Sequence, residues 1–94
     1  MENVIKNIVF YNQEIDLSTV FRIYPATLIE HQKVQTEMSL EWIEQNEDKV
    51  KILSYRLIFD YDKNRERQTK LDFDNREDLI KAINEIYEII QDRN

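Results

Sequence analysis

Apolar positions in this chain follow a period of two through its middle and a period near 3.6 at its end. KVQTEMSLEW, from Lys33 to Trp42, places Val34, Thr36, Met38, Leu40 and Trp42 on one side. KVKILSYRLIFDYD then aligns Leu53, Tyr55, Leu57, Phe59 and Tyr61, and TKLDFD repeats the pattern with Leu71 and Phe73. Successive side chains of a strand point to opposite faces, so this alternation predicts half-buried strands. Past Asp74 the pattern changes, and Leu79, Ile80, Ile83, Ile86, Tyr87 and Ile90 trace one face of a helix. Asp74 with Glu77, or Asn75 with Asp78, has the spacing of a capping box at its start.

Register follows from matching like with like. A two-residue turn at Asn46 and Glu47 sets Leu40 against Leu53, Met38 against Tyr55, Thr36 against Leu57 and Val34 against Phe59. The other face then opposes Glu37 to Arg56, Lys33 to Asp60 and Ile43 to Val50. A second hairpin, tipped by Asn64, Arg65 and Glu66, pairs Phe59 with Leu71 and Leu57 with Phe73. It also pairs Asp60 with Lys70 and Arg56 with Asp74. Each concordant pair contributes roughly 0.2 to 1 kcal/mol, and a slip of one residue exposes the whole apolar face.

The N-terminal third is less regular. IVFYNQEIDL reads as a small hairpin turning at Asn12 and Gln13, although Val4, Ile5, Ile8 and Val9 also fit a short helix. TVFRIYPATLIE is rich in β-branched and aromatic residues and predicts one or two strands, with Pro25 marking an edge, a bulge or a break. The expectation is a single α+β domain over 1–94: N-terminal strands over 1–31, a three-stranded meander over 33–74 and a helix over 75–92. The mostly antiparallel sheet, of about five strands, curls against that long C-terminal helix.

Composition removes several kinds of chemistry. The chain of 94 residues contains no glycine, so it has neither a P-loop nor a dinucleotide fingerprint. It contains no cysteine and a single histidine, His31, which rules out a Cys/His zinc set. Ser18, Ser39 and Ser54 have only His31 as a base, with no spacing to support a triad. The D-x-D pairs Asp60/Asp62 and Asp72/Asp74 fall on strands that spread their oxygens apart, whereas a hard cation needs them to converge. No metal, cofactor or catalytic residue is expected. A net charge of −6 argues against a nucleic-acid partner. No apolar run reaches the length of a membrane span, and a cytoplasmic protein is expected.

What remains is binding. The proposed registers gather Ile43, Val50 and Ile52 on the polar side of the sheet, with Trp42 opposite Lys51 nearby. A contiguous apolar group of this kind marks an interface unless the N-terminal segment covers it. These four residues are the candidate interface of a non-catalytic protein-interaction module, working on a protein partner or as a homodimer. Two alternatives have different bases. The helix carboxylates Glu77, Asp78, Glu85, Glu88 and Asp92 suit an acidic mimic occupying a basic site, and an apolar pocket between sheet and helix would suit a small ligand.

Overall fold

The computed structural model describes residues 7–91. A short hairpin, β1 (Asn7–Phe10) and β2 (Gln13–Asp16), precedes two longer strands, β3 (Arg22–His31) and β4 (Val34–Met38). A helix of two turns, α1 (Leu40–Asn46), runs into a 3-10 turn at Glu47–Lys49. β5 (Lys51–Asp60), β6 (Gln68–Phe73) and α2 (Arg76–Gln91) complete the described chain. The fold is α+β: an open antiparallel sheet ordered β4-β3-β5-β6, a separate β1-β2 hairpin, and the C-terminal helix packed on the sheet.

The core lies between α2 and one sheet face. Leu57 and Phe59 of β5, Leu71 and Phe73 of β6, and Leu79, Ala82 and Ile86 of α2 are buried together. Phe10 and Ile15 of the hairpin close the cluster. Each large side chain removed from water in this way stabilises the fold by roughly 1.5 to 3 kcal/mol. The helical spacing identifies α2 correctly, and of the two capping pairs Asn75 with Asp78 forms. Asn75 Oδ1 accepts from the Asp78 amide at 2.8 Å, and its Nδ2 donates to the Asp78 carboxylate at 3.2 Å.

The meander does not form as expected, because β3 is inserted between β4 and β5. β4 pairs with β3 through Thr27↔Met38, Ile29↔Thr36 and His31↔Val34, and not with β5. Two features bring this about. Gln32 and Lys33 both adopt positive φ, 52° and 67°, so the two strands reverse in a two-residue turn whose twist suits a hairpin. Ser39 then ends the strand: its Oγ accepts from the Trp42 amide at 3.1 Å and caps α1, so Leu40 to Asn46 coil instead of alternating. Alternation through Leu40 and Trp42 is compatible with either structure, and the cap decides between them.

The β5-β6 hairpin keeps its predicted faces but shifts by two positions. Arg56 lies opposite Asp72, Leu57 opposite Leu71 and Asp60 opposite Gln68, replacing Arg56 with Asp74 and Asp60 with Lys70. An even shift preserves which side chains face α2. The N-terminal hairpin turns one residue earlier than expected, at Tyr11 and Asn12 (φ 51° and 66°). The Tyr11 ring meets Phe73 edge-on at 5.2 Å, and its hydroxyl donates to the Glu85 carboxylate, so tertiary contacts hold that turn. That hydrogen bond, with burial and the charges of Glu85 and Asp78 adding to it, pushes the Tyr11 pKa up to about 12. Val4 and Ile5 of the helical alternative lie outside the described residues.

Pro25 lies within β3, a strand paired on both sides over part of its length. A two-residue turn bonds the amide of its last residue to the carbonyl of its first, so His31 and Val34 form a bonded pair. By alternation Ile29 with Thr36 and Thr27 with Met38 are bonded too, and the backbone of odd-numbered β3 residues points toward β4. β4 ends opposite Thr27, so the missing N–H of Pro25 faces no strand. The proline marks a local edge.

Candidate binding cleft at the open sheet edge

The two faces of the sheet differ in chemistry. On the face away from α2, charges are paired. Asp60 is fully buried and its Oδ2 accepts from Arg22 Nε at 3.0 Å and Nη2 at 2.9 Å, while Gln68 donates to its other oxygen. Arg22 and Arg65 each place a guanidinium over the Tyr24 ring, at 5.3 and 5.5 Å. Further along, Arg56 bridges Glu37 at 2.8 Å and Asp72 at 2.7 Å, and Lys70 reaches Glu37 at 2.8 Å. Burial pushes the Glu37 carboxyl up, but its bonds from Lys70 and Arg56 outweigh that and hold it below the ordinary carboxylate value. For Arg56 burial acts to lower the pKa, and Asp72 and Glu37 more than offset it.

The D-x-D segment is therefore part of an ion-paired sheet face. Asp60 binds Arg22 where Lys33 was expected, Asp72 takes the place of Asp74 beside Arg56, and the expected Arg56–Glu37 pair forms across β3. Ala26, in register with Arg56 on that strand, leaves room for the crossing. The serines are also occupied locally: Ser18 with Asp16, Ser39 as the α1 cap and Ser54 with Asp72. Among the described residues no three His, Asp or Glu side chains converge as metal ligands would.

The candidate interface is rearranged by α1. Ile43 is not on the polar face: it points from the helix into the protein and is 3% exposed. Ile52 also changes side. The β3-β5 register shifts between Leu28 and Ile29, with Leu53 as the extra residue, so Ile52 pairs with the buried Ile29. Val50 and Ile52 are half-buried, and so is Trp42, which sits on α1 instead of facing Lys51 across a hairpin. The contiguous exposed patch inferred from the registers does not exist.

In its place is a cleft of about 320 Å3 beside the free edge of β4. Ile29, Thr36 and Met38 supply its sheet side, and Trp42 and Asn46 supply its helix side. Asn46 Nδ2 donates to the Trp42 carbonyl at 2.9 Å, which ties the last turn of α1 to the turn that carries the indole. Val50, Lys49 and His31 complete the lining, and no carboxylate is among these residues although the chain has 19 acidic side chains. Of the candidates from the sequence, Trp42 and Val50 line this cleft, while Ile43 and Ile52 do not. Ile29, Met38 and Lys49 were missed, and the readable signal for them was Ser39 as a helix cap ahead of Leu40 and Ile43. A larger groove of about 540 Å3 between Tyr11 and α2 is wide open and lined by Glu85 and Glu88.

Among the described residues the edge itself is free. Among the described strands β4 is hydrogen-bonded to β3 alone, and since Val34, Thr36 and Met38 bond inward, the amides and carbonyls of Gln35 and Glu37 point outward. β6, the opposite edge, is approached by β2 and carries Lys70 and Asp72 in alternation with its core residues. Among the described residues no helix is long and apolar enough to cross a membrane. No family model, curated protein or solved structure matches this chain.

Proposed function

We propose that this chain is a non-catalytic protein-interaction module that binds by adding a partner's strand to β4. The observation carrying this reading is the outer row of β4, unpaired among the described residues, next to a cleft that presents Met38 and Trp42. An exposed strand edge is a template for pairing, with main-chain bonds supplying affinity and pockets for alternate side chains supplying selectivity. The charge on β4 does little to guard the edge, because Glu37 is drawn onto the sheet face by Arg56 and Lys70. The absence of cysteine is consistent with a cytoplasmic setting.

Proline at position 35 gives the sharpest test, since the Gln35 amide points outward and Gln35→Pro leaves the bonds to β3 in place. Wild type and Gln35→Pro are compared by light scattering over a range of concentrations and by affinity capture, with amide hydrogen exchange on any complex formed. Association that protects Gln35 and Glu37 in the wild type, and is lost in a Gln35→Pro protein of unchanged melting temperature, supports the reading. Complexes that leave both amides unprotected, or that form equally with Gln35→Pro, refute it.

A further inference from the structure

The cleft beside β4 has two chemically different ends. Thr27 lies opposite Met38 at one end, and His31 lies opposite Val34 at the other, beside the turn of Gln32 and Lys33. Lys51 pairs with Glu30, which places Lys49, two residues earlier, near that same turn. His31, Lys33 and Lys49 are all exposed, and none of the three takes part in a salt bridge among the described residues. Glu47 and Asp48 flank Lys49 in sequence but do not line the cleft, and Glu30 alternates onto the opposite sheet face. The other end is apolar, with Met38 and the Trp42 indole. A protein of net charge −6 therefore has a cleft with a cationic mouth and a greasy interior.

We propose that the occupant is the C-terminus of a partner polypeptide, bound through its free carboxylate. This rests on the strand-addition reading above. β4 runs away from the cationic turn, so an added strand that ends at the turn lies antiparallel to β4. Its terminal carboxylate meets Lys49, with Lys33 and His31 as further donors, and an apolar side chain about four residues before its end, opposite Met38, enters between Met38 and Trp42. Edge length favours a short tail over a second copy of the chain. The strand has 5 residues, about 17 Å at 3.4 Å per residue, which matches a peptide but is small for a stable dimer that must bury on the order of 1,000 Å2 or more. An ammonium at the mouth of an apolar cleft gives a carboxylate a charge-assisted bond that an amide cannot reproduce.

The chain has one tryptophan, Trp42, so its fluorescence reports on the cleft directly. The probes are acetyl-Leu-Thr-Val-Thr-Val with a free carboxylate, the same peptide as its C-terminal amide, and 3-phenylpropionate. The expected result is saturable change with the acid peptide, binding at least tenfold weaker for the amide, a similar loss in Lys49→Met, and no binding to a folded Gln35→Pro. Equal binding of acid and amide overturns the carboxylate assignment and leaves strand addition standing. Phenylpropionate binding as tightly as the peptide, with Gln35→Pro unaffected, overturns the peptide as the source of the carboxylate. Self-association that protects Gln35 and Glu37 and excludes the peptide overturns the proposal in favour of a second copy. Absence of any peptide signal overturns it outright, while the exchange experiment on Gln35 and Glu37 still decides strand addition independently.

Discussion

Replacing Arg22 with methionine is the most searching test of the polar sheet face. Asp60 has no exposed side-chain surface, whereas Arg22 retains 37%. The two halves of the pair are therefore unequal. Removing the guanidinium leaves a buried carboxylate whose remaining close donor among the described residues is Gln68, with Arg65 Nε at 3.9 Å. An uncompensated buried charge costs about 3 to 5 kcal/mol, and Arg65 closing in reduces that toward 3 kcal/mol. Asp60→Asn leaves instead a guanidinium already in contact with water, and an amide that can still bond Gln68, for a cost of about 1 to 2 kcal/mol. At about 4 to 8 °C per kcal/mol for a chain of this size, Arg22→Met should lower the melting temperature by at least about 12 °C. Urea titrations of both single variants and the double variant, followed by circular dichroism, close the cycle. The double variant should be more stable than Arg22→Met alone. If Arg22→Met costs less than about 1 kcal/mol, or no more than Asp60→Asn, the buried carboxylate does not depend on Arg22 and the reasoning fails.

Four further outcomes follow from particular residues. Gln32→Asn with Lys33→Gly puts residues that tolerate positive φ into the β3-β4 turn and should stabilise by about 1 kcal/mol or more, read as a higher urea midpoint. Ser39→Ala removes the α1 cap and should cost about 1 kcal/mol, with a rise in exchange rates confined to Leu40–Asn46. Thr27 is fully buried and its hydroxyl has no partner among the described residues, so Thr27→Val should stabilise by about 1 kcal/mol in the same titration. The carboxyl of Glu37 is held below its ordinary value of 4.5 in the fold, so its contribution is complete above 4.5 and is lost as pH falls through the lower folded value. Glu37→Gln should accordingly flatten the acid limb of a stability–pH curve, and an unchanged limb would contradict the ion pairing at Arg56 and Lys70.

What could be read from the sequence was whatever depends on neighbours along the chain. The face of α2, the Asn75–Asp78 cap, and the side on which Leu57, Phe59, Leu71 and Phe73 lie all follow from spacing. Period carries no information about which strand lies beside which, since backbone edges are chemically alike and an even register shift preserves every face. β3 therefore entered between β4 and β5 because Gln32 and Lys33 could close a tight turn and Ser39 could start a helix. That same choice buried Ile43, turned Ile52 inward, and opened the cleft at Trp42. Asp60 shows the limit most clearly, for its partner Arg22 is 38 positions away and meets it only when the two strands are adjacent. Local spacing set the elements and their faces; contacts between distant segments set their order, and with it the edge on which the proposed function rests.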